Sequence, residues 1–287
     1  MIRTLDASML NLPYTISELA PLAAKAGFQA VSAQGPRIRV LEDEREGREA
    51  AALLKDLGLV WGLMPMTADF YHWDLDDAAF KEALERLYRR AEMAWKLGIR
   101  HAYNHVWPSS PMPFDQTFEW TVGRVRKVAG VLADAGIRYG LEFLGPHELR
   151  RLQPYEFVHS LAGVAAIADE AGGKAGIAFD TYHWYTSGNG LQDDLVWMAV
   201  HADRLVALHL NDAPAGVPWD EQKDMERRLP METGVIDSKR ICSMLGKKGG
   251  DALYMIEPFQ PHCARLHDLP AAEAVRELGE VFARLED

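Results

Sequence analysis

Cysteine is nearly missing from this chain. Only Cys242 and Cys263 occur in 287 residues, far apart and without Cys-x-x-Cys spacing. That excludes a disulfide framework and a cysteine-based zinc site, and it makes a reducing cytoplasm the default expectation. Positive charge is scarce too: 31 Lys and Arg stand against 42 Asp and Glu, a formal net charge of −11. A chain that acidic repels phosphate backbones, which argues against nucleic acid as its general partner. No apolar run approaches the ~20 residues needed to span a bilayer, so no membrane partner is expected. The opening MIRTLDASMLNLPYT has no apolar core of the kind a secretory signal needs. Internal repeats, low-complexity tracts and linkers are also lacking. One domain over residues 1–287 is therefore expected, with a core large enough to need no staples.

What is present is ordinary globular composition, 48% hydrophobic and 25% charged. Apolar runs and amphipathic stretches alternate along the chain. Strands are expected over Thr4–Leu10, Phe28–Ala33, Leu59–Met66, Ile99–Trp107, Ile137–Phe143, Ala175–Asp180, Leu205–Leu210 and Ala252–Ile256. Helices are expected from a Thr15 or Ser17 cap to Ala26, then over Leu41–Leu57, Leu75–Leu97, Phe114–Ala135, Pro154–Ala171, Leu191–Ala202, Ile236–Lys247 and Pro270–Leu285. Asn11-Leu12-Pro13 reads as the turn after the first strand, and Asn211 to Thr233 as a long loop. Five helices stop at Gly27, Gly58, Gly98, Gly136 and Gly172 just before an apolar strand, as left-handed C-caps do. Eight strands alternating with eight helices imply a parallel sheet. The closed (β/α)8 TIM barrel is the leading choice over an open doubly wound sheet, and its site would lie at the carboxyl ends of the strands.

Four consecutive strands end in metal-ligating side chains: Glu142, Asp180, His209 and Glu257. The parity agrees in all four. If these point into the barrel, Gly140, Ala178, Ala207 and Met255 do as well, and Leu141, Phe179, Leu208 and Ile256 face the helices. Carboxylates buried at an apolar mouth are costly unless paired or bound to a cation. Two Glu, one Asp and one imidazole suit a single divalent ion: Mn, Mg, Co or Zn. His183 follows Asp180 by three residues, so the two share a pocket only if the strand ends near Thr181 and the chain curls inward. His105 near the end of strand four is a further candidate at the mouth. His72 and His101 carry weaker signals. Phe70, Trp73, Trp107, Trp184 and Trp219 lie in segments after strands, where aromatics stack on sugar rings or serve as lids.

From Gly140 to Phe259 these motifs resemble the xylose isomerase-like TIM-barrel superfamily: Leu-Glu142-Phe, Phe-Asp180-Thr-Tyr-His183, Leu-His209-Leu-Asn-Asp212 and Ile-Glu257-Pro-Phe. That superfamily holds sugar isomerases, ketose 3-epimerases, inosose isomerases and dehydratases, and endonuclease IV. The resemblance implies that Glu142, Asp180, His209 and Glu257 hold the metal. It also implies that His183 and Glu148, six residues after Glu142, contact substrate. An Arg-x-x-Pro-Gly segment of the epimerase branch is matched by Arg227-Arg228-Leu229-Pro230, with Met231 where that branch has glycine and an insert, Ala213 to Glu226, before it. The family's frequent Glu ending strand two is missing, since the matching run is Ala30-Val31-Ser32-Ala33.

The expected function is a divalent-metal-dependent isomerase or epimerase of a sugar, ketose or polyol. Glu142 and Glu257 are the acid/base pair, and His183, Glu148, Arg227, His105 and Trp107 bind substrate. A lyase dehydrating an inosose-like or dehydroshikimate-like compound on the same scaffold is the alternative. An endonuclease IV-like enzyme fits less well, because strand three ends Leu63-Met64-Pro65-Met66 and no Asp-x-His occurs in Asn211 to Thr233. A small-molecule substrate is the expected partner, and a homo-oligomer is left open.

Overall fold

The computed structural model describes residues 2–10, 13–246 and 248–286. Its main sheet has eight strands: β1 Ile2–Leu5, β2 Ala30–Val31, β3 Val60–Trp61, β4 His101–Val106, β5 Arg138–Phe143, β6 Ala175–Asp180, β7 Leu205–Leu210 and β8 Leu253–Ile256. Their order is β3-β2-β1-β8-β7-β6-β5-β4, and every pairing is parallel. The two ends of this series meet. Leu63, just past β3, bridges His101 of β4 in parallel, and Met64 N–H donates to the His101 carbonyl at 2.8 Å. Each strand is followed by a helix: Ile16–Lys25, Glu44–Asp56, Asp77–Leu97, Phe114–Asp134, Leu161–Glu170, Gln192–Val200, Ser238–Leu245 and Ala271–Glu286. The result is the (β/α)8 barrel that the alternating pattern predicts.

Local chemistry sets the helix ends. Asp43, Asp76 and Ser160 accept first-turn N–H groups with their side chains. The five glycine stops all have positive φ; Gly98, at φ 87°, is typical. The helix expected from Pro154 begins instead at Leu161. Tyr155 and Glu156 pair antiparallel with Ser110 and Ser109, and Phe157 N–H donates to the Pro108 carbonyl at 2.7 Å. Those strand hydrogen bonds occupy the backbone a helical turn would need. The first three strands are shorter than expected, ending at Leu5, Val31 and Trp61, with Leu63 pairing beyond β3 as an isolated bridge. Asn11, Leu12 and the Lys247 helix end lie outside the described residues.

Strand parity divides the core in two. Leu63, Ala178, Ala207, Leu253 and Met255, with Ile2 and Tyr103, fill the barrel. Leu141, Phe179, Leu208 and Ile256 belong to the larger cluster between strands and helices. The barrel interior is lined partly by small residues: a Cβ on Gly140 would lie 2.9 Å from Ala178 N. No described helix is long and apolar enough to cross a membrane.

Candidate functional site

The inward parity that packs Ala178, Ala207 and Met255 carries Asp180, His209 and Glu257 to the carboxyl end of the barrel. In register, His105 lies beside Glu142 and Asp180 beside His209. Glu142, Asp180, His209 and Glu257 are all buried, and one donor atom from each lies within 4.8 Å of the others. Among the described residues this is the one such group of His, Cys, Asp and Glu. His209 Nδ1 is 2.8 Å from Glu142 Oε1 and 3.1 Å from Glu257 Oε1. Two donors bound to one ion at ~2.1 Å stand roughly 3.0–3.4 Å apart, so these spacings fit one coordination shell. The oxygen-rich set with one imidazole fits a divalent cation, and the donors do not choose among Mn, Mg, Co and Zn.

Electrostatics separates the two glutamates. Burial alone would push Glu142 up, but the imidazoles of His209 and His105 outweigh it and hold its carboxyl well below the usual range. Burial raises Glu257 to about 8 against the pull of His209, with Asp180 and Glu142 adding to the rise. Burial would lower His209, yet Glu257 and Glu142 raise it to about 10. His105 stays partly exposed with Nε2 3.0 Å from Glu142 Oε2, and that carboxylate lifts it to about 9 against the desolvation it suffers.

Asp180 ends β6 and caps the helix Thr181–Gly188, its Oδ1 accepting from Tyr182 N at 2.6 Å and His183 N at 3.1 Å. The expected inward curl is therefore a helical first turn. It places His183 Nε2 3.9 Å from Asp180 Oδ2, buried at 2% exposure. Burial keeps that imidazole's pKa below its ordinary value. Its Nδ1 accepts from Gly145 N at 3.3 Å.

Arg227 reaches the same spot despite the insert before it. Its Nη1 donates to Asp180 Oδ2 at 2.8 Å and lies 3.6 Å from Glu257 Oε2. The guanidinium sits over Phe259 and Tyr182, 3.9 and 4.6 Å from the ring centroids. Asp180 is held below the usual carboxylate range because Arg227 and His183 overcome its burial. The insert is anchored at its base by Asp212, whose buried carboxylate accepts from the N–H groups of Ala213, Thr233, Gly234 and Ile236 at 2.8–2.9 Å. The Tyr182 hydroxyl donates to the Lys223 carbonyl at 2.6 Å and fastens the insert to the helix.

Two expected substrate contacts lie outside this group. Glu148 is exposed on the short helix His147–Arg150, and its Oε1 accepts from Asp224 N at 2.7 Å. Trp107 stands in an aromatic wall with His72 and Trp73, centroids 5.0 and 5.4 Å away, and donates its indole N–H to Asp69. Phe70 and Trp184 are packed into the core. Sequence reasoning passed over Tyr103, whose ring meets His209 edge-on at 4.9 Å, and Asp224, whose Oδ1 accepts from Arg227 Nη2 at 2.8 Å. The alternation 101-103-105 on β4 was a signal for Tyr103. Nothing local marked Asp224.

The family model described as xylose isomerase-like TIM barrel matches residues 20–285. The chain belongs to that family. Comparison with curated protein sequences finds no match. Similar solved structures share its fold. The IolI protein, solved with a bound zinc atom, is 16% identical with a TM-score of 0.80, covering 99% of this chain and 98% of that one. D-psicose 3-epimerase from Clostridium cellulolyticum H10, solved with D-tagatose, is 14% identical with a TM-score of 0.73, covering 100% and 98%. The probable 3-DHS dehydratase AsbF from Bacillus anthracis is 13% identical with a TM-score of 0.70, covering 99% of each. Family members are mostly enzymes, isomerases and epimerases among them.

Proposed function

We propose that the protein is a divalent-metal-dependent isomerase or epimerase acting on a ketose or related polyol. The observation that carries this reading is the pair Glu142 and Glu257, buried in one four-residue donor group and meeting at one imidazole. Two carboxylates held at one centre can serve the same substrate carbon, one removing a proton and the other returning one. Glu142, held ionised by His209 and His105, accepts the proton from the carbon beside the substrate carbonyl. Glu257, ionised like Glu142 when it serves as a ligand, returns a proton drawn from solvent on the other face of that carbon, and Glu142 releases its own to solvent. When bound by Glu142, Asp180, His209 and Glu257, the ion supplies Lewis-acid polarisation of the substrate's adjacent oxygens. Asp180 orients the first turn of the His183 helix, and His183 offers a neutral imidazole to a hydroxyl. The aromatic wall of His72, Trp73 and Trp107 gives a face for the C–H side of a sugar ring.

The test is isotope exchange. The Mn-loaded protein is incubated in deuterated water with a panel of ketoses that includes D-psicose and D-tagatose. The expected product carries solvent deuterium at the carbon beside the carbonyl. Turnover without label at that carbon would overturn the two-carboxylate mechanism in favour of a hydride shift. A product with the ultraviolet absorbance of a conjugated enone would assign the same proton abstraction to a dehydratase instead.

A further inference from the structure

We propose that Asp224, delivered by the 213–226 insert, is a specificity-determining residue: it fixes Arg227 against Asp180 and makes the rim select uncharged, hydroxyl-bearing ligands over phosphate esters. The inference rests on the reading of the site as a sugar or polyol pocket and adds the charge class of its ligand. Asp224 holds Arg227 twice, accepting from Nη2 through Oδ1 and from Nε through its own carbonyl, each at 2.8 Å. It also lies 3.9 Å from His183 Nε2. Its side chain is 19% exposed, so the carboxylate keeps acceptor capacity beyond the ion pair.

The two buried guanidiniums at the mouth are already committed. Arg227 spends further donors on Asp180 Oδ2 and, with the Asn211 amide turned so that its nitrogen donates to the Glu257 carbonyl, on the Asn211 side-chain oxygen at 3.1 Å. Arg150, the other buried guanidinium nearby, donates to the carbonyls of Gly145, Thr186 and Ser187 and lies 3.5 Å from Glu156. Lys223 pairs with Glu226 at 3.6 Å. The insert's sequence holds four carboxylates, Asp220, Glu221, Asp224 and Glu226, and that one lysine, and Glu148 is tied to the backbone of Asp224. A phosphate approaching Arg227 meets the carboxylates of Asp224 and Asp180 and a guanidinium already committed to them, while a hydroxyl finds acceptors.

The experiment measures binding by calorimetry on the Mn-loaded full chain, with D-tagatose and D-tagatose 6-phosphate as probes. The wild-type protein should bind the sugar about tenfold or more tightly than its ester. Asp224→Asn keeps an oxygen for Arg227 and removes the charge. It should narrow that ratio about tenfold by strengthening ester binding, with Mn affinity held within about threefold. Asp224→Glu, which keeps the charge, should hold the wild-type preference, and thermal denaturation of both variants confirms that they fold. A wild-type preference for the ester, or an unchanged ratio in Asp224→Asn, would overturn the proposal. If neither probe binds any form, the proposal falls together with the sugar reading. The Mn titration then tells separately whether the metal centre stands.

Discussion

Loading the centre with a divalent ion should expel protons from it. Without an ion, His209 is raised to about 10 and Glu257 to about 8. Both must lose a proton to become ligands. At pH 7 a group of pKa about 8 is about nine-tenths protonated and one of about 10 almost fully so. About two protons therefore leave for each ion bound. His105, at about 9, is not one of the four donors, but its charge is supported by Glu142 3.0 Å away. A dication on Glu142 weakens that support, so His105 adds up to about one proton more. The sign follows from competition. Protons hold the same atoms as the ion, so affinity rises with pH. From the two ligands the rise is about two log units per pH unit near pH 7 and about one near pH 9, where Glu257 is mostly ionised, and any proton lost by His105 adds to it. The assay is calorimetric titration with Mn at pH 7 in buffers of different ionisation enthalpy, whose slope counts the protons released. Glu257→Gln should lower the count by about one and His209→Gln by about one, because neither amide titrates. A wild-type count near zero, or a count that ignores Glu257→Gln, would refute the reasoning.

Three further outcomes are expected. Turnover of Glu257→Gln at saturating Mn should fall ~10²–10⁴-fold, and full recovery on adding metal would make Glu257 a ligand alone. Gly145→Ala should cost about 2 kcal/mol or more in urea denaturation, because the new Cβ would lie 2.2 Å from the His183 carbonyl oxygen and 2.4 Å from Thr186 Oγ1. A cost under ~0.5 kcal/mol would show that this approach is relieved easily. Burial lowers His101 to about 4 from 6.5, so the folded chain refuses a proton that the unfolded chain accepts, and stability falls as pH drops through that window. From pH 7 to 5 this group alone removes about 2 kcal/mol. His101→Gln should shrink the difference between the two pH values by that much, and an equal difference in both proteins would count against it.

The barrel was legible because its determinants are local. Strand-ending polar residues with matched parity, and glycine stops before apolar runs, read correctly at β5 to β8 and at the five C-caps. The helical turn after Asp180 was also written locally, as an aspartate that can cap N–H groups two and three residues on, yet the alternating strand pattern drew attention to its end. The start at Leu161 was not legible from Pro154 onward, since pairing with Ser109 and Ser110 is a tertiary event. Arg227 and Asp224 were the hardest. Their place depends on the path of an insert whose anchors, Asp212 and Tyr182, lie 12 and 42 residues from Asp224 in sequence. Glu148 kept the family spacing, but its carboxylate serves that insert's backbone.

Asp212 makes the insert a detachable part. Its two oxygens gather N–H groups from Ala213 at the start of the insert and from Thr233, Gly234 and Ile236 beyond its end, and its backbone exchanges two hydrogen bonds with Arg228, so the loop is closed at its base. Lengthening such a closed loop costs only about 0.6 kcal/mol per doubling. Tip sequences between residues 215 and 221 can therefore drift or be exchanged, with buried Gln222 holding the Pro214 and Val217 carbonyls, while the four strand-end ligands stay where the β-register puts them. A scaffold of this kind separates inheritance of chemistry from inheritance of taste: the barrel transmits the first, and a clipped-on loop is free to rewrite the second.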